Sequence, residues 1–408
     1  MGADALTSPT TDHTGATVPG HPGPAGEGHD IERLRLAIRE MATRDIAPHV
    51  ERGELDCVFP DQVREAMAAA GCFGRTLPVE FGGKGQGLRA FAAQQEELAK
   101  VWSTAAVAAT WANLSGRLIS RYGNAEQREA LLPGLVDGTG LGGVAFTEPH
   151  GGSDAAGIRT TATLDGDHWR LDGAKCMIDN AANAAFIVVS ARSEQDVAVR
   201  HQGISLFVVH RDDPGFNYQR TYRTLGLRAA GVGWFKLVSC RIPQDRMLGE
   251  PGRGFYEMMD MVEFGRTGVA AICLGMTEAS LASATRFLVN RSTFGGPLAK
   301  NDVILATVAD IRIRLDAARL LTERAAAMVD AGIQCQSESA MAKVYASELA
   351  VEATAQALHL HGGIGYTDEH AVEMHARDAH AFTIGEGTSE VLRMVVGRHE
   401  MSKAGTSA

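Results

Sequence analysis

Basic excess, aromatic side chains, paired cysteines and long apolar runs are all scarce in this chain of 408 residues. The formal net charge is -10, so no concentrated basic face is available and nucleic-acid binding is not expected. Aromatic residues make up only 6%. With alanine abundant, this disfavours an all-β sandwich and favours long, closely packed helices. Six cysteines (Cys57, Cys72, Cys176, Cys240, Cys273 and Cys335) are scattered without a Cys-x-x-Cys pair. They read as buried thiols of a reducing compartment. His359 and His361 are separated by one residue and lack a third ligand nearby, so no metal site is expected. The apolar stretch from Val101 to Ala112 is interrupted by Ser103, Thr104 and Thr110, and no membrane span is expected. Residues 1–30 are rich in Gly, Pro and Thr and lack the basic start and apolar core of a signal peptide. They predict a disordered tail on a cytoplasmic protein.

What the chain does have is an apolar periodicity that changes twice. Its length and 45% hydrophobic content suit two or three domains. Ile31, Leu34, Ile38 and Met41 recur at helical spacing until Pro48. Further helices are predicted over 61–70, 88–101 and 126–135, giving an all-α domain over 31–140. Over 141–250 the pattern turns to period two. Thr161 to Leu164 and His168 to Leu171 flank Asp165-Gly166-Asp167 as a hairpin. Strands over 185–190, 204–209 and 234–242 complete an expected antiparallel β-domain. Over 251–398 long helices return: one spans about 254–291, and a second carries Val308, Ile311, Leu315 and Ala318 on one face. A third places Val344, Val351, Ala355 and Leu358 in register, and a fourth follows Thr388. An antiparallel four-helix bundle is expected, then a tail over 399–408. The fold class is α+β.

The stretch Ile384-Gly385-Glu386-Gly387-Thr388-Ser389-Glu390 sets one carboxylate between two glycines ahead of a helix. Glycines let a ligand approach the backbone. The carboxylate can take a proton, and the adjacent N–H can bind a developing oxyanion. Alone, the same residues would serve equally as a helix cap. The stretch resembles the catalytic-base segment of the acyl-CoA dehydrogenase family, flavoenzymes that desaturate thioesters. Further segments resemble that family in its order. They are Ala145-Phe146-Thr147-Glu148-Pro149-His150-Gly151-Gly152-Ser153-Asp154, Gly226-Leu227-Arg228-Ala229, Leu248-Gly249-Glu250, Arg291-Ser292-Thr293-Phe294-Gly295 and His361-Gly362-Gly363-Ile364-Gly365-Tyr366.

The resemblance implies bound FAD, a homotetramer, and a thioester of CoA or of an acyl carrier protein as substrate. It also implies electron-transfer flavoprotein or another acceptor as partner. Glu386 is implied as the base that removes the α-proton while the β-hydrogen leaves to the flavin. Arg266 would orient the site, Glu263 would meet substrate, and Ser153, Gly385 and Gly387 would line the substrate side. Implied FAD contacts are Phe146, Thr147, Gly152 and Ser153, then Met177, Ile178 and Asp179, then Asn301 and Asp302. Arg291, Thr293 and Phe294 would reach FAD across a subunit interface. His359, His361, Gly362, Gly363, Thr388, Ser389 and Glu390 complete the implied set.

The chain departs from that family at three places. Met177 stands where an aromatic is usual, and Asp179 puts a possible negative charge where a hydroxyl is usual. Asn301-Asp302 replaces another flavin-contact pair. Gly385 replaces the usual tyrosine, as in the isovaleryl-CoA dehydrogenase branch, and would widen the pocket for a short, branched or bulky acyl group. Open alternatives are the same chemistry on a carrier-bound acyl group, a flavin-dependent oxidase or monooxygenase, and a non-catalytic assembly protein.

Overall fold

A computed structural model describes residues 27–194, 197–293 and 295–405. Six helices come first: α1 (Glu27–Met41), α2 (Val50–Asp56), α3 (Asp61–Ala69), α4 (Leu88–Ala99), α5 (Ser103–Tyr122) and α6 (Ala125–Val136). Helix α1 begins at Glu27, so residues 27–30, expected in the disordered tail, are helical. The rest of that expected tail lies outside the described residues. Ile38 and Met41 turn inward as their spacing predicts. Helix α5 was not foreseen. Its first half is the apolar stretch around residue 105, whose Ser103, Thr104 and Thr110 are buried with it.

The middle region holds β1 (Gly142–Ala145), β2 (Thr161–Asp165), β3 (His168–Ile178), β4 (Phe186–Arg192), β5 (Ile204–His210), β6 (Phe216–Thr221), β7 (Gly233–Pro243) and β8 (Met247–Leu248). They form one eight-stranded sheet in the order β6-β7-β3-β2-β4-β5-β8, with β1 beside β4. The β2–β3 hairpin has the expected register, from Asp165 opposite His168 to Thr161 opposite Asp172. The sheet is not purely antiparallel, because β1 pairs parallel with β4, Gly142 opposite Phe186. That pairing carries the segment before the 146–160 loop into the interior.

The chain then runs through α7 (Gly254–Asn290), a short ribbon of β9 (Ser292–Thr293) and β10 (Gly296–Pro297), and α8 (Asp302–Asp330). The remaining helices are α9 (Gln336–His361), α10 (Val372–Ala379) and α11 (Ser389–Gly405). Helix α7 has 37 residues and is about 55 Å long. It is apolar and long enough to cross a membrane by composition, yet 78% of its most apolar window is buried against the rest of the fold. It packs on α9, α8, α5 and α4, so one core spans all three regions. Two expectations are corrected. Residues 399–405 continue α11 rather than forming a tail. The buried face of α9 is Ala342, Ala346, Leu349, Ala350, Ala353 and Ala357, whereas Ala355 is exposed and Val344, Val351 and Leu358 are only half-buried. Close approach to α7 selects the small side chains.

Candidate active site

Glu386 lies in the turn between the 3₁₀ turn His380–Thr383 and α11, in the left-handed region at φ 56°. The turn is tied at both flanks. Ile384 and Gly385 N–H donate to Ala381 O at 3.2 and 2.9 Å, and Thr388 Oγ1 accepts from Val391 N–H at 3.3 Å to start α11. Among the described residues, no group accepts from the Glu386 N–H. The carboxylate leans on α7 at Gly265, where a Cβ would fall 2.5 Å from Oε2. A larger residue there would have to displace the carboxylate.

Burial pushes the Glu386 carboxyl above the usual carboxylate range, opposed by the charges of Arg266 and Lys343. Arg266, on α7, is itself buried, and its Nε has no hydrogen-bond partner among the described residues. Lys343, on α9, is fully buried and donates from Nζ to Gly387 O at 2.6 Å. Just beyond β3, Asp179 is pushed up to about 7 by burial and by the nearby Glu386 charge, with a hydrogen bond to Trp111 of α5 holding it back. The possible negative charge foreseen at Asp179 is therefore only partial near neutral pH.

The 146–160 loop is strapped to the sheet by a buried ion pair. Glu148 Oε1 accepts from Lys175 Nζ at 2.8 Å and from Thr160 N–H at 3.0 Å, and Oε2 accepts from Arg159 N–H at 2.7 Å. Lys175 also donates to Phe146 O and Ser190 Oγ, both at 3.2 Å. With its polar anchors turned inward, the loop leaves Gly152 and Ser153 exposed and Thr147 half-buried. Met177, at φ 56° and 54% exposed, and buried Ile178 adjoin it.

The structure brings Glu386, Gly385, Gly387 and Arg266 together with Asp179, with Met177 and Ile178 just before Asp179 and Thr388 and Ser389 just after Gly387; several other expected residues are engaged elsewhere. Glu263 accepts from Cys335 N–H at 3.1 Å, so its carboxylate caps the start of α9 rather than pointing free toward a substrate. Asn301 caps α8, its Oδ1 accepting from Val303 N–H at 2.9 Å, and Asp302 is exposed in the first turn. His361 is a core residue whose ring bonds Ala357 O at 2.7 Å and Ser283 Oγ at 3.1 Å, correcting its expected place on the cofactor. His359 is exposed, as are Arg291 and Thr293; Phe294 lies outside the described residues. Ser389 is buried and Glu390 exposed.

Lys343, Trp111 and the Glu148–Lys175 pair were not foreseen as parts of the site. A lone lysine between Ala342 and Val344, on an Ala/Ser-rich helix, was the available signal. An added Cβ at Gly151, Gly362 or Gly363 would meet nothing within 4 Å. Such open glycine edges beside exposed hydroxyls fit a large cofactor with polar rims.

Family descriptions of the acyl-CoA dehydrogenase N-terminal, middle and C-terminal domains match residues 29–139, 143–240 and 252–401. Human short-chain specific acyl-CoA dehydrogenase is 36% identical over 90% of this chain and 89% of its own. The structure of butyryl-CoA dehydrogenase from Megasphaera elsdenii superimposes with TM-score 0.87 at 32% identity, covering 91% of this chain and 98% of that one. A glutaryl-CoA dehydrogenase from Mycobacterium smegmatis in complex with FADH2 gives TM-score 0.87 at 26% identity, covering 91% and 95%. The prolyl acyl carrier protein oxidase AnaB gives 0.86 at 25% identity, covering 91% and 98%. The three matched regions, in order around a helix-seated carboxylate, show that this chain belongs to the acyl-CoA dehydrogenase family and is an FAD-dependent oxidoreductase.

Proposed function

We propose that the protein introduces an α,β double bond into a short acyl-CoA, with Glu386 as the base. The observation that carries this is the Glu386 carboxylate, held against Gly265 and made more basic by burial. A more basic carboxylate is better matched to an α-proton. The Glu386 N–H is available for the thioester carbonyl oxygen, where it would stabilise the negative charge that grows as the α-proton leaves. Arg266 balances the charge of the base while it is ionised, and Asp179 is near enough to feel that charge. Bound FAD supplies the acceptor for the β-hydrogen and the two electrons that leave with it. Thr147, Gly152, Ser153, Met177 and Ile178 would line the cofactor on the sheet side.

The short acyl group is favoured by the similarity to short-chain and butyryl enzymes and by the space at Gly385, which admits branching. Likeness to a carrier-protein oxidase supports a second reading, in which the acyl group arrives on a carrier protein. Electron-transfer flavoprotein is the proposed acceptor. A homotetramer is the proposed assembly, and the distance along α7 supports at least a second copy: 25 positions separate Arg266 from Arg291, about 37 Å. If Arg291 holds FAD, it serves the site of another copy. The test is anaerobic bleaching of the bound flavin by butyryl-CoA, isovaleryl-CoA and the corresponding carrier thioesters. Glu386→Gln should retain FAD and lose at least ~10²-fold in the bleaching rate; a wild-type rate would remove Glu386 from the role.

A further inference from the structure

We propose that Lys343 is the positioning residue of the base segment, holding the Gly387 carbonyl and facing the Glu386 carboxylate with a positive charge. The inference rests on the reading of Glu386 as the base. On α9, Ser339, Ala340, Ala342, Ala346 and Ser347 are buried against neighbouring helices, and Lys343 is buried among them at 0% exposure. An ammonium group taken out of water is costly unless it is bonded and faces negative charge. Here the bond is Nζ to Gly387 O, 2.6 Å. Among the described residues, no other side chain from a separate element bonds the backbone of Gly385, Glu386 or Gly387. The flanks of the turn are tied to Ala381 and to α11, while Lys343 ties its centre, where Glu386 and Gly387 both have positive φ.

The groups facing Glu386 are Gly265 and Arg266 from α7, Lys343 from α9 and Asp179 beyond β3. Lys343 is also faced by Cys273 of α7 and by Glu348 of its own helix. Burial lowers the Lys343 amine to about 8, so at neutral pH it is predominantly charged. Arg266 shares the electrostatic task but bonds no part of the turn. Lys343 alone joins the two roles: one side chain sets both where the carboxylate stands and how strongly its ionised form is favoured. It is exchanging protons with nothing; its effect passes through Glu386.

The test uses the FAD-loaded protein and the pH dependence of flavin reduction at saturating substrate. Lys343→Met keeps the side-chain length and removes the desolvation cost of the ammonium but leaves Gly387 O without its donor, so it should melt moderately below the wild type and retain FAD. Its acid limb should move up by about one pH unit as the opposing charge is lost. The saturating rate should fall ~10-fold, with KM within about threefold. Lys343→Arg should return the limb toward the wild-type position. An unmoved limb with a rate within about twofold of wild type overturns the proposal. So does a large drop in melting temperature with normal activity per folded molecule, which would mark a structural role only. Glu386→Gln run in parallel separates the two readings. If it reduces flavin normally, the base assignment fails; if it is inactive while Lys343→Met is normal, only the role of Lys343 fails.

Discussion

Two single residues, Asp179 and Gly385, carry predictions of their own. Asp179 has a carboxyl raised from 3.8 to about 7, chiefly by burial. The folded state therefore binds its proton more tightly than the unfolded state does, and stability falls as pH rises from about 4 to about 7. Asp179→Asn removes that loss. Its stabilising effect should be near zero at pH 4, grow across that window and level off above it, as followed by melting temperature in the FAD-loaded protein. A constant offset at every pH would mean that Asp179 is not buried as a proton carrier. Gly385 has ordinary φ, and a Cβ there would meet only Ala381 O at 3.5 Å. Gly385→Tyr should fold normally and weaken branched acyl-CoAs against straight ones by ~10-fold, since overpacking a pocket costs about 1–3 kcal/mol. An unchanged ranking in bleaching rates would show that the position does not face the acyl group.

At the scale of elements, the 146–160 loop depends on an ion pair that the sheet buries. Burial pushes Glu148 up, but Lys175 and the N–H groups of residues 159 and 160 outweigh it and keep the carboxylate ionised. Lys175→Met would leave that charge unpaired and should cost ~3–5 kcal/mol, seen as a lower denaturation midpoint together with loss of FAD. Adding Glu148→Gln should restore part of the stability, whereas additive losses would show that the two side chains act separately. Much of this architecture was legible in the chain. The β2–β3 hairpin announced itself by alternation around Asp165-Gly166-Asp167, and α7 by its unbroken apolar pattern. What escaped did so for physical reasons. β6 is an exposed edge strand with the polar run Asn217 to Thr221 and almost no apolar alternation. The α9 face was misread because Val344, Val351 and Leu358 are only half-buried, while Leu349 and a row of alanines form the buried face. In the site, Glu386 and Gly387 stood out by their sequence setting. Asn301 and His361 did not reveal that a helix cap and a core contact already use their polar atoms, and Glu263 did not reveal its bond to Cys335.

For the whole molecule, the outward faces of the C-terminal helices matter most. Ile313 and Leu320, seven positions apart on α8, are each 68% exposed, and Val303 on the same helix and Met394 and Met401 on α11 are exposed as well. We expect other copies to cover this surface. Ile313→Asp with Leu320→Asp should shift the protein to a smaller species by light scattering and lower FAD retention at the same time; an unchanged mass would place the interface elsewhere. The long α7 also shapes how the chain is made. Its apolar surface is covered by α4, which precedes it, and by α9, which begins 46 positions after α7 ends. At a synthesis rate of about 5–20 residues per second, one side of α7 stays uncovered for several seconds and longer until α9 clears the ribosome. A nascent chain in that interval carries an unsheltered apolar rod, the kind of segment that draws chaperones. Chains halted between α8 and α9 should therefore be the ones that aggregate, a vulnerability of biogenesis that the finished fold conceals.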